Sequence, residues 1–261
     1  MVRVLAVSLV SVAVLGVPAV ARCQPAAADA PGLRFIPSQD ETSNHHPGFG
    51  ELVGSLGADF RRAVSEDSLT MLGLGATTAW SLRGLDNRAA RNTWGDDRVF
   101  HPGNVIGSAL AQGGGAFATY LIGRAIDKPE ISQLGADLVR AQVVSQSFTQ
   151  AIKFTATRRR PDGTSLSFPS GHTSSAFATA TVLRSHYGWK AGVPAYAIAT
   201  WIGASRVQMK RHYISDVVTG AAIGIVAGRS VTIGRGRTRF AVVPMAEPGG
   251  VGVSFVRLGS E

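Results

Sequence analysis

Six stretches between residues 60 and 229 repeat apolar residues at mixed three- and four-residue spacing, and this period constrains the fold more than any other feature. They are Phe60–Leu82, Asn104–Ile126, Pro129–Thr157, His172–Tyr187, Val193–Val207 and Ile214–Arg229. All six are rich in Ala and Gly, which lets helix axes approach closely. The expected fold class is mainly α, with a six-helix, bundle-like catalytic core. The polar, Gly- and Trp-containing stretch Asp86–Pro102 reads as a long loop. The last part of the chain changes character. Arg239–Ala246 and Val251–Leu258 alternate apolar and small residues on either side of Glu247-Pro-Gly-Gly250, the pattern and turn chemistry of a short C-terminal β-hairpin.

A membrane span needs about 20 mostly apolar residues. The run Val217–Gly228 is 12 long before Arg229, and Ala191–Ser205 gives 15 uncharged residues. These segments read as core helices rather than spans. The N-terminus reads as an export signal: Arg3, an apolar run from Val4 to Val20, then Ala19 and Ala21 at small-x-small spacing. The expected organisation is a signal peptide over residues 1–21, a flexible arm over 22–50, a helical domain over 51–230 and the hairpin segment over 231–261. Export to the periplasm or the medium follows, with membrane association through an uncleaved N-terminal segment as the alternative. The adjacent His45 and His46 lie in the polar arm and read as bystanders rather than as a metal pair.

The chain has one cysteine, so it can form no intrachain disulfide and no zinc–thiolate cluster. Its formal charge is +9, and +8 (9 − 1) once Arg3 leaves with the signal. Such a balance suits anionic partners: phosphate esters, nucleic acid or an anionic membrane surface.

Three clusters within about 65 residues suit phosphate in particular. The first is Lys153-Phe-Thr-Ala-Thr-Arg-Arg-Arg160-Pro161. Lys153 and Arg160 are seven apart, two turns of a helix that Pro161 would end at the preceding residue, so both can serve one site. A guanidinium fork matches phosphate oxygens and a lysine acts as a point charge. The plainer reading of Arg158-Arg-Arg160 is a solvated helix C-terminus favoured by the macrodipole. The second cluster is Pro169-Ser-Gly-His172. Ser170 sits near a helix cap, Gly171 admits close backbone approach, and the free N–H groups of a helix start attract an anion beside His172. The third is Ser205-Arg-Val-Gln-Met-Lys-Arg-His-Tyr-Ile-Ser-Asp216. His212 and Asp216 are four apart, so a carboxylate in a first helical turn would lie beside the imidazole and raise its basicity. The six-residue step from Arg206 to His212 points the two side chains apart on one unbroken helix. They meet only if the helix breaks around Gln208–Arg211.

Lys153-x6-Arg160-Pro161, Pro169-Ser-Gly-His172 and Ser205-Arg206-x5-His212-x3-Asp216, in that order, resemble the three-part motif of the type 2 phosphatidic acid phosphatase superfamily. That superfamily also holds bacterial class A acid phosphatases and vanadium haloperoxidases. One departure is visible: seven residues separate Pro161 from Pro169, fewer than the motif usually allows, which reshapes the pocket rim without removing a functional group. The resemblance implies a metal-independent phosphatase with no cofactor, acting on soluble or lipid-linked phosphates and diphosphates. His212 would be the nucleophile, Asp216 its carboxylate partner and His172 the acid and then the base. Lys153, Arg160, Arg206 and the backbone at Ser170 and Gly171 would hold the phosphate. Peripheral membrane contact fits this reading, and nucleic acid is not an expected partner. The alternatives are a vanadium-dependent haloperoxidase using the same cradle and a non-enzymatic anion-binding protein.

Overall fold

Residues 45–92 and 95–233, with the backbone of 239–247 and 250–258, are described by a computed structural model. The expected signal peptide and most of the expected arm lie outside these residues. Nine helices form among the described residues: α1 (Phe49–Ala63), α2 (Glu66–Ser81), α3 (Arg83–Arg91), α4 (Asp97–Ile106), α5 (Ala109–Ala125), α6 (Pro129–Ala156), α7 (Gly171–Tyr187), α8 (Trp189–Gln208) and α9 (Ile214–Thr232). The mainly α architecture is therefore as expected, with nine helices among the described residues where six were expected.

The differences have local causes. Phe60–Leu82 is divided by the break at Val64 and Ser65, where α1 ends and Ser65 takes the N-cap position of α2. Asn104–Ile126 is divided at Gly107–Ser108, and α4 and α5 meet there at a bend of 53°. Ser108 caps α5 by accepting a hydrogen bond from the Ala111 N–H. The long loop expected over Asp86–Pro102 is mostly helix, namely α3 and the first half of α4. Its polar composition misleads because the side chain that α3 buries is a carboxylate, Asp86. Asp96 caps α4 by accepting from the Arg98 N–H.

α7 and α9 pack face to face, and the sequence of α9 explains how closely. Gly220, Gly224 and Gly228 form one stripe at four-residue spacing. A methyl group on Gly224 would lie 2.3 Å from the Ser174 carbonyl oxygen, and one on Gly220 would lie 2.6 Å from that of Ser170. This contact sets the first turn of α7 directly beside the first turn of α9. The main core surrounds it, with Leu134, Leu138 and Val144 of α6, Val182 of α7, and Val226 and Val231 of α9. A buried ion cluster ties α1 to α6 and α9: Arg140 Nε is 2.8 Å from Asp59 Oδ2, and Arg140 donates to the Val231 carbonyl at 2.8 Å.

Residues 45–50, placed with the arm by composition, are fixed on the helices. His46 contacts Ser132 Oγ at 3.0 Å, and the Pro47 carbonyl accepts from Tyr120 and Arg124. α9 is long and apolar enough to cross a membrane, and 56% of that window is buried against other helices. At the chain's end the backbones of β1 (Arg239–Glu247) and β2 (Gly250–Leu258) pair antiparallel, with Arg239 opposite Leu258. Their side chains and the two residues between them lie outside the described residues.

Candidate active site

α6 carries Lys153 near its end, then stops at Ala156, with Thr157 in the left-handed region at φ 43°. Arg160 is thus not on the helix, contrary to the expectation of a helix running to Pro161. It belongs to a loop that folds on itself, with Arg160 N–H donating to the Thr164 carbonyl and Ser167 N–H to the Arg158 carbonyl. Seven residues bring Lys153 and Arg160 together through a turn rather than along one face.

Ser170 is the N-cap residue of α7, fully buried, and its N–H donates to the Asp216 carbonyl at 3.0 Å. Gly171 starts the helix, and a Cβ built on it would lie 4.0 Å from Lys153 Cε, so the lysine chain runs past the start of α7. His172 follows, mostly buried. α8 ends at Gln208, residues 209–213 form the expected break, and α9 begins at Ile214. The break is fixed by the Arg206 carbonyl, which accepts from the N–H groups of both Arg211 and His212. Asp216 stands in the first turn of α9, where it accepts from the Tyr213 N–H at 2.9 Å. All eight residues singled out from the sequence therefore gather at one end of the α6–α7–α8–α9 assembly.

The partners of His212 define its protonation. Nδ1 lies 2.6 Å from the Ser167 carbonyl, an acceptor only, so Nδ1 carries the hydrogen and the Nε2 lone pair is free. Asp216 Oδ2 is 3.7 Å from the same nitrogen, an ionic contact rather than a hydrogen bond. Asp216 acts partly through Ser167, whose hydroxyl donates to Oδ2. Burial, the largest influence on His212, lowers its pKa and outweighs the neighbouring carboxylate. For Asp216, burial works to raise the pKa, but His212, Ser167, the Tyr213 N–H and Arg158 together hold it below the usual range. The pair is thus a neutral imidazole beside an ionised carboxylate.

Cations crowd the other side. Lys153 is buried and donates to the Leu166 carbonyl at 2.8 Å. Burial first, and then the charge of Arg160, lower its pKa to about 8. Burial also depresses Arg206, with Arg211 and Arg160 adding to the effect, although a guanidinium remains charged at neutral pH. Burial and Arg206 lower His172 to about 4. The Nε atoms of Arg160 and Arg206 are buried without a hydrogen-bond partner. Such groups are costly unless something accepts from them, and an oxyanion would serve both at once.

Asn104 of α4 is a participant that no motif or spacing singles out. Its carbonyl accepts from His172 Nε2 at 3.1 Å and its Oδ1 accepts from Arg206 at 2.6 Å. It opens the apolar stretch Asn104–Ile126, and the packing of α4 against α8 and the start of α7, with Gly103 close to Ser205 and Gly107 close to His172, brings it over the site.

Residues 135–239 match the sequence model of the PAP2 superfamily. The chain is 46% identical over 80 residues to a lipid A 1-phosphatase of Porphyromonas gingivalis, covering 29% of this chain and 18% of that protein. It is 40% identical over 55 residues to a lipid A 4'-phosphatase of Helicobacter pylori, covering 21% of this chain and 28% of that one. The chain thus spans less than a third of the length of these curated relatives. Among solved structures it is similar to LpxE of Aquifex aeolicus, at 25% identity and a TM-score of 0.45, over 52% of this chain and 84% of that one.

Anion binding has a measurable consequence. An oxyanion bound there would relieve the repulsion among Lys153, Arg160 and Arg206, so inorganic phosphate or vanadate is expected to raise the melting temperature. At 100 times Kd the stabilisation is about 2.7 kcal/mol, and Arg206→Ala should remove most of it. Equal thermal shifts in the two proteins would show that the anion binds elsewhere.

Proposed function

We propose that this protein is a phosphatase of lipid-linked phosphate esters that works through a phosphohistidine intermediate. The observation that carries the reading is the pairing of His212, whose Nε2 is free, with buried cations whose Nε–H groups lack an acceptor. Nε2 attacks phosphorus, the ester P–O bond breaks, and a protonated His172 gives its proton to the leaving oxygen. His172, now neutral, takes a proton from the water that attacks the phosphohistidine, which frees inorganic phosphate and restores His212. Lys153, Arg160, Arg206 and the N–H groups at the start of α7 hold the transferring oxygens. One well-placed donor of this kind is worth roughly 2.7–4 kcal/mol in the transition state.

Two observations support a lipid substrate and membrane contact. Both curated relatives are named as lipid A phosphatases. The helices also leave apolar faces uncovered: Leu110, Phe117 and Leu121 lie along one face of α5, and Trp189 and Val193 start α8, all exposed. The test is a substrate panel in detergent, comparing lipid monophosphates and diphosphates with p-nitrophenyl phosphate, with and without vanadate. Hydrolysis that favours the lipid esters and is inhibited by vanadate is the expected result. No hydrolysis, or activity that needs vanadate, peroxide and halide together, would overturn it.

A further inference from the structure

Arg158 looks interchangeable with Arg159 and Arg160 in the sequence, yet it points elsewhere. One terminal nitrogen, Nη1, donates to Asp216 Oδ1 at 2.7 Å and to Ser215 Oγ at 2.8 Å. The other, Nη2, donates to Asp86 Oδ2 at 2.8 Å. The guanidinium carbon sits 4.1 Å from the centre of the Tyr213 ring, a stacking distance. Asp86 in turn holds the start of α9: its Oδ1 accepts from the Ser215 N–H at 3.0 Å and its Oδ2 from the Ser215 hydroxyl at 2.6 Å.

These contacts divide the Asp216 carboxylate between two tasks. Oδ1 is taken by Arg158, while Oδ2 faces Ser167, Tyr213 N–H and His212. We propose that Arg158, anchored by Asp86 of α3, is a positioning residue that fixes Asp216 as an ionised, correctly turned partner for His212. The proposal rests on the phosphatase reading above. The physical reason is charge. Asp86 and Asp216 are two buried carboxylates, and Arg158 is the cation bonded to both, with Ser215 bonded to Arg158 and to Asp86. The other charged groups around Asp216 are His212, Lys153 and Arg160, and they serve the phosphate side. Without Arg158, burial and the Asp86 charge favour protonation of one carboxylate. A neutral Asp216 no longer supports the cationic character that His212 develops as it attacks.

The experiment is steady-state kinetics of Arg158→Met across pH, with Arg158→Lys and Asp86→Asn beside it. In Arg158→Met, kcat should fall by about 10- to 100-fold with KM nearly unchanged, the size typical of a lost supporting partner. The pH limb along which activity rises should move upward by about one unit or more, because ionisation of Asp216 becomes harder. Arg158→Lys should recover much of kcat and return the limb, and Asp86→Asn should lower kcat less than Arg158→Met does.

A cavity of about 430 Å³ lies beside Arg158, bounded also by Trp80, Phe168 and Ser215. Methylguanidinium should therefore enter Arg158→Gly and restore activity. An Arg158→Met protein with unchanged kcat and pH limb overturns the proposal. So does a raised KM at constant kcat, which would make Arg158 a phosphate ligand. If Arg158→Met does not fold, Arg158→Gln, which also removes the charge, decides by the same two readouts. If the wild-type protein hydrolyses no phosphate ester, the phosphatase reading fails by itself. The positioning role is then decided by the Asp216 carboxyl pKa from carbon NMR, which must rise in Arg158→Met or, if that protein does not fold, in Arg158→Gln.

Discussion

Alanine at His212 is expected to lower kcat by about 10⁵-fold, the scale on which losing a nucleophile acts when the rest of a site survives. The ring is almost wholly buried, and its one hydrogen bond runs to a carbonyl of the adjoining loop. Removing it leaves Lys153, Arg160 and Arg206 in place, so affinity for inorganic phosphate should change little while turnover disappears. Acid-quenched turnover of wild-type protein leaves little trace of a phosphohistidine, whereas an alkaline quench should preserve it. The adduct should be absent from His212→Ala. Full activity in the purified variant would sink the assignment.

The second large effect concerns His172 and depends on the leaving group. With an alkyl phosphate or a lipid phosphate, His172→Ala should reduce kcat by about 10³-fold, within the range for general acid catalysis. With p-nitrophenyl phosphate the loss in the first step should be far smaller, since a nitrophenolate leaves without a proton. An equal loss with both substrates in that first step, read as the burst of released alcohol or nitrophenolate, would mean that His172 holds the site together rather than supplying a proton. The resting state adds a constraint on pH. Burial and Arg206 lower His172 to about 4, so at neutral pH the free site holds a neutral ring. The proton must arrive with the substrate, whose monoanion loses it near pH 6, as phosphate monoesters do. The expected kcat/KM therefore declines above about pH 6 and follows the second pKa of the ester. A kcat/KM that stays flat to pH 9 would contradict this route.

The two effects are coupled through geometry that spacing only partly conveys. His212 and Asp216 were legible as a pair because four residues is one helical turn, and Asp216 does stand in the first turn of α9. Their actual link is less direct, since Nδ1 bonds the Ser167 carbonyl and Asp216 reaches it through the Ser167 hydroxyl. Ser167 carries no signal in the sequence, because its role depends on a loop folding over the break between α8 and α9. That loop also explains why Arg160 reaches the site although α6 stops short of it.

Legible from the residues alone were the helical class, the break between Arg206 and His212, and the set of ionisable groups that gather at one end of α6–α9. Those features are local: they follow from 3.6-residue periodicity, cap chemistry and the identities of ionisable side chains. Tertiary structure decided the division of labour among similar residues. Arg158 and Arg160 differ by two positions, yet one bonds the carboxylate behind His212 while the other presents an unpartnered Nε–H. The choice is made by Asp86, 72 residues away on a helix whose polarity had made it look like a loop. Periodicity describes which face of a segment is apolar, and it contains no term for a buried carboxylate on one helix meeting a guanidinium from another.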